Sequence, residues 1–330
     1  MFILRFVVAP IIAILGAIFV GLIIMGIDRI LAARMQSRVG PPLRQPFWDV
    51  KKLMIKENII PENAISWLFN AAPVICLAVV STILLYLPLA GFSPILAAHG
   101  DLIVVVYLLI LPALAKVIGG FASGSPFASV GAQREMVMMM SYEFPLAIIA
   151  VSVAWLLSKV HPSLDAFSLQ AIATHPVWGL VKGPLGIVGL ILLLVSLLVV
   201  TPGELSVIPF DLPDAPTEIV GGVLAEYSGR NYALFYLASA VKLVVLPSLL
   251  IAIFFPYGIS GLFNVGAAAA GVIDVVFFLV KLFVILFFSV TCVHVLAARL
   301  KIDQLVNTYF MAMTAVSLVG LVLIVLDAAI

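Results

Sequence analysis

Long apolar stretches almost empty of charge alternate along this chain with short segments in which the charges are crowded together. A chain of 330 residues that is 64% hydrophobic and only 10% charged cannot present a water-soluble surface, so lipid must serve as part of its solvent. Apolar runs long enough to cross the hydrocarbon core as helices fall at about residues 4–28, 67–90, 101–121, 135–157, 183–202, 232–255, 268–296 and 305–327. The expected fold is all-α, a polytopic transmembrane helix bundle with about eight spans, forming a single integral membrane domain over 1–330.

The charges set an orientation. Seven of the 17 Lys and Arg residues lie within 29–56. With both termini on the outer side, the inner loops hold Arg29, Arg34, Arg38, Arg44, Lys51, Lys52, Lys56, Arg134, Arg230, Arg299 and Lys301, against Arg5, Lys159 and Lys182 outside. The positive-inside rule selects this arrangement in the cell membrane, with inner loops at 29–66, 122–134, 203–231 and 297–304. The first span lacks a basic n-region, a short h-region and a small-residue cleavage site, so it is expected to be retained. Cys76 and Cys292 fall within spans and far from metal-like spacing, which predicts neither a disulfide framework nor a metal or cluster site in this chain. Any redox centre must then belong to a partner. The basic inner loop is accounted for by topology and anionic lipid, so the lipid bilayer is the implied contact and nucleic acid is not.

Two inner segments have further character. Pro46 can open a short helix with Phe47, Val50 and Met54 on one face and Asp49, Lys52 and Lys56 on another, the pattern of a helix lying in the membrane interface. Such a helix reads equally as a surface anchor, through Trp48 and its lysines, or as a docking element. Within 202–230, Glu204, Asp211, Asp214, Glu218 and Glu226 are interleaved with Val207, Ile208, Phe210, Ile219 and Val220. Lipid does not accept irregular backbone, so this loop is expected to pack on protein or line a wet cavity. Asp214 alone has a ready structural role, capping a helix that begins near Pro216. Gly119, Gly120 and Gly124 lack phosphate-loop spacing and fit close helix approach or a turn. No repeat of broken spans marks a secondary transporter.

Charge inside a span is expensive and usually faces protein or water. Lys116, Glu143, Lys242, Asp274 and Lys281 are such residues, with Glu135 at a helix entrance. Each reads either as a static, paired structural element or as part of a proton path, because burial draws acid and lysine pKa values toward each other. His294 fits a snorkelling or hydrogen-bonded role, and His99, His161 and His175 fall in outer loops without a further ligand at useful spacing.

Three segments carry a family resemblance: ARMQSRVGPPLRQPFWDVKKLMIKENIIP at 33–61, GSPFASVGAQREMVMMMSYE at 124–143 and PFDLPDAPTEIVGGVLAEYSG at 209–229. Together they resemble the heel subunit of respiratory complex I (NADH dehydrogenase subunit 1) and its relatives in energy-converting membrane-bound [NiFe] hydrogenases and sulfane reductase complexes. The complex I form carries a polar Glu-Thr-Asn-Arg-Pro run before Pro-Phe-Asp, whereas this chain has Glu204, Leu205, Ser206, Val207, Ile208 and Pro209. Glu204 remains while the cation and amide are gone, which argues against a quinone site. GSPF and GAQRE look like the hydrogenase branch, Pro216 replaces an acid usual in complex I, and Ser141, Tyr142 and Glu143 match the complex I form.

The resemblance implies a membrane anchor and coupling subunit, non-catalytic alone. Its partners would be peripheral hydrogenase-like large and small subunits, an iron–sulfur subunit and antiporter-like membrane subunits. The implied iron–sulfur clusters and nickel–iron site belong to those partners, and electron transfer would drive proton or sodium movement. Glu204, Asp211, Asp214, Glu218 and Glu226 are then expected to form an acidic entrance, with Glu143 leading inward and Arg34, Arg38 and Arg134 holding the arm or offsetting acids. The alternatives are a quinone-site subunit of complex I type, a passive scaffold, and a self-contained ion or solute transporter.

Overall fold

The computed structural model describes residues 7–97, 101–262 and 266–329; Arg5 and His99 lie outside these residues. Thirteen α-helices follow in chain order: α1 (Ala9–Met35), α2 (Gln45–Ile55), α3 (Ser66–Tyr86), α4 (Asp101–Ala122), α5 (Pro126–Val160), α6 (Leu169–Thr174), α7 (Pro184–Glu204), α8 (Pro216–Ile219), α9 (Gly229–Phe254), α10 (Ala267–Leu286), α11 (Cys292–Leu296), α12 (Ile302–Val306) and α13 (Thr314–Ala329). A π-helical segment, Phe287–Thr291, joins α10 to α11, and another, Asn307–Met313, joins α12 to α13. Eight of the resulting helices are long and apolar enough to cross a membrane. Among the described residues the only extended pairing is an antiparallel bridge between Leu89 and Phe92.

The bundle is organised around α9, the most buried span. It packs against α1, α2 and α3, while α4 lies between α3 and α5, and α13 packs against α7 and α5. The central contacts are aliphatic, through residues such as Leu109, Ile149, Val153, Leu193, Val245 and Leu249. Pro73, Pro112, Pro145, Pro202 and Pro247 sit inside spans, where neighbouring helices can satisfy the carbonyls a proline leaves without an amide partner.

Three local features depart from the sequence expectation or sharpen it. The fourth span begins at Pro126, well before the apolar run at 135, so Arg134 and Glu135 lie within a helix. The short helix expected between the first two spans forms with Pro46 in its first turn. Its Phe47 packs on Phe19 with ring centroids 5.6 Å apart, and its Asp49 accepts from Arg29 at 3.1 Å and Gln45 at 2.8 Å. Met54, expected on its apolar face, is exposed. Asp214 does not cap α8: Ala215 occupies the cap position and no side chain caps the helix.

Candidate functional site

The C-terminal halves of α4 and α7, the N-terminal half of α5 and the middle of α9 enclose a group of charges with little access to solvent. Glu204, at the last residue of α7, meets Lys242, midway along α9, with Nζ and Oε1 2.8 Å apart; the side chains are 2% and 9% exposed respectively. Neither charge is tolerable there alone, because each gives up hydration that only a close partner can offset. Tyr142 of α5 lies beside the Glu204 carboxylate. Lys116 of α4 interacts electrostatically with Glu135, Asp214 and Glu204. Glu135 is almost wholly buried, and its Oε2 has no hydrogen-bond partner.

The 205–228 loop, which joins α7 to α9, closes one side of this group. Burial pushes the Asp214 carboxyl up to about 6; the Lys116 ammonium opposes the rise, and the Glu135 and Asp211 carboxylates add to it. Asp211 itself is held by Arg299 at 2.8 Å, and Arg299 also donates to Thr217 at 3.1 Å. Glu218 is exposed and pairs with Arg134. Burial likewise raises the Tyr227 phenol, which donates to the Phe69 carbonyl at 3.1 Å. The loop approaches α5 closely because Gly131, in GAQRE, has no side chain. A Cβ there would stand 2.5 Å from the Val223 amide nitrogen and 2.7 Å from the Pro213 carbonyl oxygen.

The structure therefore brings Lys116, Glu204, Asp214 and Lys242 into one neighbourhood, with Asp211 at its edge and Glu218 paired outside it. Glu143 follows Tyr142 along α5 and is half-buried, next to the exposed Phe144. Glu226 is half-buried in the turn before α9, and no ion pair to it forms among the described residues. Arg34 is exposed at the end of α1; Arg38 is exposed beyond it and donates to Gln36.

Asp274 and Lys281 lie at the opposite end of the bundle. Asp274 accepts from the Ile259 and Ser260 amides at 3.0 Å and from the Ser260 hydroxyl at 2.6 Å. Lys281 donates to the Phe255 and Tyr257 carbonyls at 2.8 and 2.9 Å. Residues 242 and 255 are separated by about 20 Å of helix rise, and the intervening stretch of α9 is buried and apolar apart from Ser248, which bonds its own helix at Val244.

Sequence reasoning underweighted Glu135, Tyr142 and Arg299, and gave no signal for Tyr309. Glu135 was detectable as an acid at the edge of an apolar run. A phenol inside an apolar run carries no comparable mark, since tyrosine is ordinary at such positions. His161 and His175 come together, with ring centroids 4.8 Å apart, although they are distant in sequence. Among the described residues no group of three or more His, Cys, Asp or Glu side chains is arranged to hold a metal.

An apolar cleft of about 170 Å³ runs between α1, α9 and α10, lined by Ile24, Met25, Leu243, Phe283 and Phe287, with Asp28, Arg29 and Tyr236 on its wall. Asp28 accepts from Thr291 at 2.6 Å and Tyr236 from Arg29 at 3.1 Å, so these polar groups are already engaged.

The family model described as NADH dehydrogenase matches residues 8–325. Formate hydrogenlyase subunit 4 of Escherichia coli (strain K12) is 30% identical over 295 residues, covering 89% of this chain and 91% of that protein. A chain of the membrane-bound sulfane sulfur reductase, an archaeal respiratory membrane complex, superposes with a TM-score of 0.80 at 25% identity, over 96% of this chain and 98% of that one.

Proposed function

Because the chain belongs to the NADH dehydrogenase family, we propose that it is the membrane anchor and coupling subunit of a hydrogenase-like respiratory complex, linking electron transfer in a peripheral arm to proton or sodium translocation. The observation that carries this reading is the buried inner cluster. Glu135, Glu204 and Asp214 are three acids set among two lysines, Lys116 and Lys242, which leaves room for one proton more than the lysines hold. Ionisable residues held inside a membrane span at such cost are functional candidates.

Hydrogenase-like large and small subunits and an iron–sulfur subunit would cover the inner loops at 29–66, 122–134, 203–231 and 297–304, with both termini outside. Antiporter-like membrane subunits would lie alongside. The exposed Arg34 and Arg38 suit the arm surface, whereas Arg134 offsets Glu218. The iron–sulfur clusters, and a nickel–iron site if protons are the acceptor, would be held by those partners. Electron arrival in the arm alters charge and hydration above the 205–228 loop. The Asp214 carboxyl, raised by burial to about 6, is placed to respond. Lys116, Glu135 and the Glu204–Lys242 pair carry the electrostatic change onward, and Glu143 gives it a lateral exit along α5.

A self-contained transporter is disfavoured by the apolar stretch of α9 between the inner cluster and the outer pair. A quinone-site subunit is a second reading, favoured by the apolar cleft between α1, α9 and α10. The intact complex, purified in mild detergent, is the material for the test. Mass spectrometry and elemental analysis are expected to find hydrogenase-like partners and iron, with nickel if hydrogen is the product. Glu143→Gln and Glu204→Gln complexes are expected to lose ion movement while retaining electron transfer, or to slow both. Wild-type coupling in both variants would overturn the pathway, and activity dependent on an added short-chain quinone would move the assignment to the second reading.

A further inference from the structure

Pro202 stands in the last turn of α7, two residues before Glu204. An ordinary residue there would donate its amide to the Leu198 carbonyl; proline has none, and that carbonyl is left open inside the bundle. The vacancy is filled from elsewhere: the Ser289 hydroxyl donates to the Leu198 oxygen at 2.7 Å. On the next residue, the Tyr309 phenol donates to the Val199 oxygen at 3.1 Å. The Gly203 amide lies beside the same phenol oxygen.

Both donors come from π-helical turns, Ser289 from Phe287–Thr291 and Tyr309 from Asn307–Met313. A π turn inserts one extra residue and so re-aims the side chains around it, and such turns concentrate at working sites. Here two of them aim hydroxyls at adjacent carbonyls of one broken helix end. Gly203 admits the tyrosine, since a Cβ there would stand 2.4 Å from its hydroxyl oxygen. Tyr309 is fully buried and meets Tyr142 edge-on, with centroids 6.4 Å apart, and Phe210 at 5.0 Å. Tyr142 is in turn the phenol beside Glu204.

We propose that Ser289 and Tyr309 are positioning residues for Glu204: the Ser289 hydroxyl fills the carbonyl that Pro202 leaves open, the Tyr309 phenol binds the neighbouring carbonyl, and together they hold the end of α7 so that Glu204 faces Lys242. The inference rests on the reading of Glu204 as a member of the coupling path. A purely structural pair of hydrogen bonds would affect assembly alone; positioning residues also govern the protonation of the group they place.

The test uses the intact complex and the pH profile of electron transfer, with ion movement recorded beside it, in Ser289→Ala, Ser289→Thr, Tyr309→Phe and Glu204→Gln variants. Ser289→Ala and Tyr309→Phe are expected to move the midpoint by about half to one pH unit, both in the same direction. Ser289→Thr, which keeps the hydroxyl, is expected to restore it. Neither shift is expected when the same substitution is made on Glu204→Gln. If Glu204→Gln is defective while Ser289→Ala and Tyr309→Phe keep the wild-type profile, the positioning role is overturned and the path reading survives. Shifts that persist on Glu204→Gln also overturn it. A Glu204→Gln complex with wild-type coupling and profile removes the path reading and this inference with it. Should Ser289→Ala fail to assemble, Tyr309→Phe, which conserves the ring, carries the same test.

Discussion

Glu204 and Lys242 have surrendered nearly all contact with water, and each is tenable in its ionised form because the other is within 2.8 Å. Asp214 is in a different position, since the cation that acts on it, Lys116, also acts on Glu135 and Glu204. Its carboxyl, ordinarily near 3.8, is raised to about 6 by burial. The folded protein therefore binds this proton more tightly than the unfolded chain does. The contribution to stability is complete below about 3.8 and is lost as the pH rises through about 6. The difference is at most ~3 kcal/mol, and less for a side chain that keeps some solvent contact. Asp214→Asn is neutral throughout, so thermal melting of the purified complex is expected to fall less steeply between about pH 4 and about pH 7 than in wild type. A melting profile with wild-type slope in Asp214→Asn would show that this carboxyl titrates as an ordinary surface acid.

At the level of elements, the site depends on how closely α5 and the 205–228 loop approach. Gly131→Ala would drive a methyl group into the Val223 amide and the Pro213 carbonyl, both backbone and so unable to swing aside. The expected cost is about 1–3 kcal/mol, with faster amide hydrogen exchange over 211–224 as the loop lifts from the helix. Unchanged exchange in that segment would mean that the loop is held by other contacts. The eight spans and the acids of this loop were legible in the sequence, because apolar length and charge in lipid leave direct compositional marks. Its pairings were not. Asp214 could equally have capped α8, and only the tertiary path of the loop turns it toward Lys116 while Ala215 takes the cap position. The early start of α5 was hidden for a related reason: 126–134 is too polar to read as a span, yet it is helical where it packs on the loop. Tyr309 and Ser289 were invisible because their roles answer a proline in a different helix.

Across the whole molecule, the Glu204–Lys242 cluster and the Asp274–Lys281 pair differ in their bonding. The cluster holds unsatisfied capacity, such as the Glu135 Oε2. In the outer pair, Asp274 is bound by two amides and a hydroxyl, while Lys281 is bound by two carbonyls, all from the segment that follows α9. These bonds fasten a loop, and the two side chains line a cavity of about 250 Å³ with Phe92 and Tyr257. An apolar stretch of α9 separates this pair from Lys242, with Ser248 as its one polar side chain. Asp274→Asn and Lys281→Met are therefore expected to leave the ratio of ions moved to electrons transferred at its wild-type value. Their effect should be confined to the outer loop, as increased proteolysis near 256–261. Lys242→Met, by contrast, is expected to abolish coupling, because it strands the Glu204 carboxylate without its counter-ion. Loss of coupling in Asp274→Asn, measured in proteoliposomes carrying the whole complex, would mean that the outer pair belongs to the path and that water bridges the apolar stretch of α9.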